Sequence, residues 1–140
     1  PDEVDWWPKP ASQRRRIVVV GAGIAGLETA WIAAARGHEV TVFGAGAEAG
    51  GKTRLHALLP GGEHLSSIYD YQQLAAKRAR LSLELGVRAT AEEVLALAPD
   101  HVVLATGSEM GWPDSLPKSL QADGAILSLR EIVPMLQGLE

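Results

Sequence analysis

The fold is decided by residues 16–44, RIVVVGAGIAGLETAWIAAARGHEVTVFG. The all-apolar, β-branched run Ile17–Val20 is typical of a strand buried on both faces of a parallel sheet. Residues 24–36 repeat apolar side chains with helical spacing, and Gly37 provides a helix end. Residues 39–43 have the pattern of a second strand. The stretch therefore predicts a strand, a tight glycine turn, a helix and another strand, which together form a βαβ unit.

The turn after the first strand is Gly-Ala-Gly-Ile-Ala-Gly, residues 21–26, and matches the pattern G-x-G-x-x-G. Gly21 allows the sharp exit from the strand, Gly23 lets backbone approach a pyrophosphate, and Gly26 lets the helix lie close to the sheet. An anion would sit at the helix N-terminus, beside free N–H groups and the positive end of the dipole. The pattern follows a strand and opens a helix, as this motif requires. It predicts nucleotide binding; the alternative is that the glycines serve tight packing alone.

The acid that usually grips the ribose is missing. It belongs about 20 residues on, at the end of the second strand, where this chain has Gly44. Glu39 lies at the wrong end of that strand, and Glu48 lies farther along a glycine-rich loop. No Arg or Lys stands next to Gly44 to hold a 2′-phosphate, which argues against NADP. Losing such an anchor costs roughly 1.5–3 kcal/mol, about ten- to a hundredfold in affinity, so a weakened site is predicted.

Beyond Gly44 the sequence continues to alternate helices and strands. A long loop leads to Ser66 or Ser67, either of which can cap a helix. That helix is expected to run to about Leu85 and to end at Gly86, and a short strand follows at Val87–Ala89. The capping box Thr90 and Glu93 opens the next helix, and HVVLATG (101–107) contains a buried strand. Ser128 and Glu131 open a last helix, in which Pro134 causes a kink or an early end.

These elements predict an α/β fold, a Rossmann-like parallel sheet with flanking helices, in an incomplete FAD/NAD(P)-binding domain. Residues 14–140 form that domain. Residues 1–13, with three prolines and no periodicity, form a linker or arm. Trp6 and Trp7 in the arm either pack on their own domain or contact a missing domain or subunit.

Composition excludes several classes of function. The 140 residues are 46% hydrophobic and 21% charged, with a net charge of −4, which gives no case for binding nucleic acid or an anionic membrane. The absence of cysteine removes disulfides, thiolate chemistry and cluster ligands, and the four histidines are too scattered for a metal site. The basic start and apolar stretch of residues 14–37 are similar to a signal peptide, but Glu28 and the glycine spacing argue against it. We expect a cytoplasmic protein.

From Arg16 to about Gly107, the chain resembles the dinucleotide-binding domain of a group of NADH:flavin oxidoreductases. That group includes trimethylamine dehydrogenase, histamine dehydrogenase and 2,4-dienoyl-CoA reductase. The resemblance rests on four pieces, VVVGAGIAGLETA (18–30), ARGHEVTVF (35–43), AEAGGKTRLHALLPGGEH (47–64) and HVVLATGS (101–108).

The resemblance implies a site for FAD, or for ADP alone, in a larger flavoprotein. The residues expected to touch the nucleotide are Gly21, Gly23, Ala25, Gly26, Gly44, Gly50, Gly51, Lys52, Thr106 and Gly107. FMN and an iron–sulfur cluster would lie on other segments or partners, and the expected partners are the remaining oxidoreductase domains or subunits. Gly44 departs from the group's pattern, and so does Lys52, where Gln, His or a small residue is more usual.

No residue of the chain has the spacing of a nucleophile with its base, a carboxylate pair or a His–Asp arrangement. Glu28 is expected to be a solvated helix residue, and Tyr69 and Tyr71 to be packing residues. The first hypothesis is therefore the FAD- or ADP-binding portion of a flavin-dependent oxidoreductase, as a fragment or small subunit without catalytic residues of its own. The alternative is a vestigial module that no longer binds nucleotide and has a structural or docking role. A self-contained NAD-dependent dehydrogenase is disfavoured because no substrate domain is present.

Overall fold

The structure, a computed structural model, describes residues 7–109 and 111–138. The strands are β1 Arg16–Val20, β2 Glu39–Gly44, β3 Ser82–Leu85 and β4 His101–Leu104. The helices are α1 Ile24–Ala35, α2 Gly51–Ala57, α3 Ser66–Ala79, α4 Ala91–Ala96, α5 Ser119–Ala122 and α6 Leu129–Gly138, with a 3₁₀ turn at Glu63–Leu65.

The four strands form one parallel sheet in the order β3-β2-β1-β4. Strand β1 lies in the centre, and Val18 pairs with Thr41 on one side and with Val102 on the other. Because every strand runs in the same direction, all four carboxyl ends reach the same edge of the sheet. The strand order changes direction beside β1, and the crevice outside the carboxyl ends at such a point is where open α/β sheets bind ligands. The α/β, Rossmann-like prediction is confirmed.

The core lies between the centre of the sheet and α1. Val18, Val19, Val42 and Leu27 are fully buried, and Trp31 is 1% exposed. Helix α3 packs beside α1 and contributes Ala75 and Ala76 to the second buried cluster, around Trp31. The predicted strand–turn–helix–strand unit is therefore present, with each element within one residue of its predicted bounds.

The described part of the N-terminal arm packs on this domain. The Trp7 ring lies 5.7 Å from that of Trp31, and the Arg78 guanidinium stands 4.2 Å from the centre of the Trp7 ring. The Ala11 N–H donates to the Arg36 carbonyl at 2.8 Å. Of the two alternatives for Trp7, packing on its own domain is thus the observed one, and Trp6 lies outside the described residues.

The predicted helix from residue 66 to Leu85 is wrong at its C-terminal end. Helix α3 ends at Ala79, and Arg80 takes a left-handed conformation with φ of 58°. The next residues form β3, which pairs in parallel with β2 through Thr41 and Ser82. Pairing along the open side of β2 outweighs the helical spacing of the leucines. Gly86 therefore follows a strand, and residues 87–89 form no strand; the Val87 N–H donates to the Gly44 carbonyl at 2.9 Å.

The helix ends test the capping predictions. The Thr90–Glu93 box is present: Glu93 N–H donates to Thr90 Oγ1 at 3.2 Å, and Thr90 N–H to Glu93 Oε2 at 2.7 Å. Ser128 N–H donates to Glu131 Oε2 at 2.7 Å. Helix α6 continues through Pro134 to Gly138, so the early end, one of the two predicted effects of Pro134, does not occur. Neither Ser66 nor Ser67 caps α3, which has no side-chain cap at its N-terminus.

Strand β4 is present, but it is exposed, whereas the sequence predicted a buried strand. Val102 is 42% exposed and Leu104 is 77% exposed. Within residues 7–109 and 111–138 no strand pairs with its outer side. An apolar cavity of about 330 Å³ lies between β4 and α4 and is lined partly by Val94, Leu95, Val102 and Leu104. No helix in the described residues is long and apolar enough to cross a membrane.

Candidate nucleotide-binding site

Two glycines of the first turn are required by close packing. A Cβ on Gly21, where φ is 118°, would lie 2.1 Å from the Ala105 carbonyl oxygen. A Cβ on Gly26 would lie 1.9 Å from the Gly21 carbonyl oxygen. Both distances are far inside van der Waals contact, so any side chain would push the turn away from the helix or from β4. These two glycines set the approach of α1 to the sheet.

Gly23 differs from them because its surroundings are empty. No atom lies within 4 Å of the position that its Cβ would take, and its backbone is extended, with φ of −76°. Gly23 is the N-cap of α1, and no side chain caps that helix end. The first N–H groups of the helix, from Ile24 to Gly26, have no intrahelical acceptor and lie at the positive end of the dipole. Gly23 therefore leaves its side of the turn open in front of these N–H donors.

The Gly50–Gly51 pair lies against the turn at residues 21–26. These two turns and the turn after β4, at residues 105–107, are called the glycine cradle below, and each forms one wall of it. Gly50 N–H donates to the Ala22 carbonyl at 2.8 Å, and Gly50 forms an isolated parallel bridge with Gly23. Both residues of the pair have positive φ, 110° for Gly50 and 59° for Gly51, which favours glycine. A Cβ on Gly51 would lie 3.1 Å from the Gly23 Cα. Helix α1, strand β2 and the loop 45–49 separate the two turns in the chain, and helix α2, which the sequence did not predict, begins at Gly51.

The turn after β4 forms the third wall. Ala105 N–H donates to the Val20 carbonyl at 2.8 Å, which holds this turn against the first one. Thr106 is exposed, and Gly107, with φ of 76°, has nothing within 4 Å of its Cβ position. Lys52 Nζ donates to Ser108 Oγ at 2.7 Å and so joins the second wall to the third. An ammonium group thus stands between two glycine turns.

Position 44, where the ribose-binding acid usually stands, has no room for a side chain. Gly44 is buried at the end of β2. A Cβ there would lie 2.7 Å from the Ala22 Cβ and 2.8 Å from Leu85 Cδ2. The methyl group of the residue between the first two motif glycines and a leucine of β3 occupy the room that a side chain would need. Gly44 therefore contributes packing to the site and no polar group.

The structure brings most of the predicted residues together and adds several that the sequence did not indicate. Gly21, Gly23, Gly26, Gly50, Gly51, Thr106 and Gly107 meet at the carboxyl edge of the sheet, with Lys52 beside them and Ala25 exposed on the first turn of α1. The missed contributors are Ala22, Ser108 and the ion pair of Glu48 with Arg54, whose Nε donates to Glu48 Oε2 at 2.8 Å. Both residues of the ion pair fall within the AEAGGKTRLHALLPGGEH piece (47–64), so the resemblance of that piece could have pointed to them.

The expectation for Glu28 is wrong. Its Oε2 accepts from the Trp31 indole N–H at 2.8 Å and from Gln72 Nε2 at 2.9 Å, so it joins α1 to α3. Tyr69 and Tyr71 do pack: Tyr69 is 5% exposed and lies against Gly50, and the Tyr71 ring meets the Trp31 ring edge-on at 6.0 Å. In residues 7–109 and 111–138, no group of three or more His, Asp or Glu side chains could hold a metal ion.

Comparison with known proteins agrees with this geometry. Residues 19–72 match the model of the NAD(P)-binding Rossmann-like domain. The chain is 44% identical over 96 residues to N,N-dimethylglycine/sarcosine dehydrogenase of Chromohalobacter salexigens, covering 69% of this chain and 14% of the relative.

Two solved structures match over most of the chain. 2-Naphthoyl-CoA reductase in complex with 2-naphthoyl-CoA superposes with a TM-score of 0.81 at 29% identity, covering 90% of this chain and 19% of the other. Histamine dehydrogenase from Rhizobium sp. 4-9 superposes with a TM-score of 0.71 at 32% identity, covering 80% and 16%. The chain thus spans less than a fifth of the length of each of these three relatives. It carries an NAD(P)-binding Rossmann-like domain, and its relatives are flavin oxidoreductases of the group that includes histamine dehydrogenase.

Proposed function

We propose that the glycine cradle binds the pyrophosphate of FAD or ADP, and that the chain is the nucleotide-binding portion of a multidomain or multisubunit flavin-dependent oxidoreductase. The observation that carries the proposal is the empty space above Gly23, bounded by three turns and by the uncapped N-terminus of α1. A diphosphate there would accept from the N–H groups of Ile24 to Gly26 in the favourable field of the helix. Lys52 is the cationic side chain nearest in the chain to this cradle and would add a charge-assisted hydrogen bond.

The residues fit a nucleotide but supply no chemistry of their own. FAD, when bound, supplies electron transfer through its isoalloxazine ring; the protein binds, orients and shields it. Gly23 would face the diphosphate in a turn that Gly21 and Gly26 hold against β4 and α1, Gly50 and Gly51 would cover it, and Thr106 and Gly107 would lie toward the flavin half. We assign the binding domain to residues 14–140, the arm to residues 1–13, and the substrate site, FMN and iron–sulfur cluster to other domains or subunits. A cytoplasmic location stays a prediction from the sequence.

A second candidate is a structural module that has lost nucleotide binding. Gly44 favours it, because the acid is absent and its place is filled by Ala22 and Leu85. The two candidates differ in one measurable property, affinity for a nucleotide, since both keep the same fold.

The test is equilibrium titration of the purified chain with ADP, FAD and adenosine. The cradle predicts binding of ADP and FAD, and much weaker binding of adenosine, because adenosine lacks the diphosphate. A yellow purified protein would favour FAD, and a colourless one that releases ADP on denaturation would favour ADP. Absence of binding to all three ligands would leave the structural module as the function.

A further inference from the structure

We propose that Glu48, held by Arg54, makes the ribose contact in this chain in place of the missing acid at position 44. This inference rests on the proposed function, because it assigns a residue to the adenosine half of a nucleotide bound at the glycine cradle. It also names the ligand class more closely: an adenine nucleotide whose ribose hydroxyls are free, without a 2′-phosphate.

The first step is that position 44 cannot supply the contact. Any side chain there starts from a Cβ 2.7 Å from that of Ala22 and 2.8 Å from Leu85 Cδ2. The Ala22 Cβ cannot move away without moving the glycine turn that forms the cradle. The anchor, if the site has one, must come from another residue at this end of β2.

The second step is the path of the chain after β2. The Gly21 N–H donates to the Phe43 carbonyl at 2.8 Å, so the end of β2 lies directly beside the phosphate turn. Residues 45–49 then lead to Gly50, which returns to the same turn through its bridge with Gly23. In this fold the ribose lies over that end of β2. The loop 45–49 therefore borders the ribose position, and Glu48 is its one acidic residue, four positions beyond Gly44.

The third step is that the Glu48 carboxylate is held in place. Arg54 binds it through two nitrogens, with Nε 2.8 Å from Oε2 and Nη2 paired with Oε1. The Arg54 guanidinium lies 5.2 Å from the centre of the Tyr69 ring. Tyr69 is 5% exposed, and its ring lies 3.0 Å from the Cβ position of Gly50. The carboxylate is thus connected, through Arg54 and Tyr69, to the wall of the cradle itself.

The fourth step is chemical. An ionised carboxylate has about four lone-pair sites, and the two bonds from Arg54 leave about two for hydroxyl donors. The Glu48 side chain is 60% exposed, so a ligand can reach it. The positive charge of Arg54 reduces the repulsion between Glu48 and a nearby diphosphate, whereas a 2′-phosphate would meet the carboxylate directly. Glu84, another acid near this edge, lies on β3 and accepts from Ser82 Oγ at 2.7 Å, one strand farther from the cradle.

The test is calorimetric titration of the chain with ADP, 2′-deoxy-ADP and 3′-deoxy-ADP, in the wild type, Glu48→Gln and the control Glu84→Gln. We expect the wild type to bind ADP about tenfold more tightly than at least one deoxy analogue. Glu48→Gln should lower ADP affinity severalfold and clearly reduce the preference for ADP over that analogue, because a neutral amide oxygen accepts a weaker hydrogen bond than a carboxylate does. Glu84→Gln should keep the wild-type affinities and ratio.

A further variant, Arg54→Lys, keeps the charge but loses the two-nitrogen grip. It should reduce the preference for ADP over the deoxy analogue, while the thermal unfolding midpoint stays close to that of the wild type. Loss of an ion pair with a purely structural role would not alter that preference.

The result that overturns the inference is ADP binding with an unchanged hydroxyl preference in Glu48→Gln. If the wild type binds neither ADP nor FAD, the proposed function fails and the ribose assignment fails with it. If the wild type binds ADP but shows no preference over either deoxy analogue, the cradle holds the diphosphate and the ribose assignment alone is wrong.

Discussion

The two ends of the parallel sheet consist of different residue types. At the carboxyl end three glycine turns meet, and the space above Gly23 is empty. At the amino end charged side chains join the strands: Arg14 and Arg16 pair with Glu39, and Arg15 pairs with Asp100. Those ion pairs are exposed, and each is worth at most about 1 kcal/mol. Close backbone packing with one open glycine therefore characterises the carboxyl end, whereas exposed ion pairs join the strand ends at the amino end.

The largest effects should come from breaking the carboxyl end. Gly26→Ala should destabilise the chain by about 1–3 kcal/mol or prevent folding, because its Cβ would lie 1.9 Å from the Gly21 carbonyl oxygen. Urea unfolding followed by circular dichroism measures this.

The matched control is Gly23→Ala, at the same turn. It should change the free energy of unfolding by less than about 0.5 kcal/mol, because nothing lies within 4 Å of its Cβ, yet lower ADP affinity roughly tenfold. Equal destabilisation by both substitutions would contradict the division between packing glycines and the ligand-facing glycine.

A second prediction concerns the closed position at the end of β2. Gly44→Ala should cost about 1–3 kcal/mol of stability because of its contacts with Ala22 and Leu85. Ala22→Gly removes one of those contacts, so the double variant should regain part of the loss in a double-mutant cycle. The same crowding predicts that Gly44→Glu fails to tighten nucleotide binding. Tighter binding of ADP by Gly44→Glu would show that the position is open after all.

A third prediction concerns the cation at this end. Lys52→Met should reduce ADP affinity by about five- to tenfold and flatten its dependence on salt concentration, since a phosphate loses a charge-assisted partner. The control is Lys77→Met. Lys77 lies in the last turn of α3, away from the cradle, so this variant should keep the ADP affinity of the wild type. The comparison is made by titration at low and high ionic strength. Identical salt dependence in Lys52→Met and the wild type would remove Lys52 from the site.

The smallest expected effect is at the amino end. Asp100 Oδ2 accepts from the Arg16 N–H at 2.7 Å, and that hydrogen bond, helped by the nearby cations, lowers the pKa of Asp100 below its usual value. A carboxyl whose pKa is lower in the folded state stabilises the fold above its unfolded pKa, and this contribution is lost as the pH falls through the folded pKa.

Thermal unfolding from about pH 6 down to about pH 2 measures this contribution. The wild type should lose slightly more stability than Asp100→Asn over that interval, while ADP affinity at neutral pH stays the same in both. The exposed Asp114→Asn is the control. A large change in ADP affinity in Asp100→Asn would break the separation between the two ends.

The sequence anticipated the carboxyl end better than the rest because its signals are local. Glycines at fixed spacing, a β-branched run and a helical apolar face all lie within residues 16–44, and each agrees with the others. The capping box at Thr90 is equally local and was found for the same reason. The helix end at Ala79 was missed because the leucines that follow fit a helical stripe as well as a strand.

The amino-acid sequence was enough to predict the βαβ unit, the glycine turn and the absence of an acid at position 44. The tertiary structure alone decided that β3 adds to β2, that Ala22 and Leu85 close the place of the acid, and that Lys52 reaches Ser108. It also decided that Glu48, Arg54 and Tyr69 form one chain of contacts to the cradle. The physical reason is that those contacts join residues far apart in sequence or fix side chains by packing, and no local periodicity or propensity encodes either.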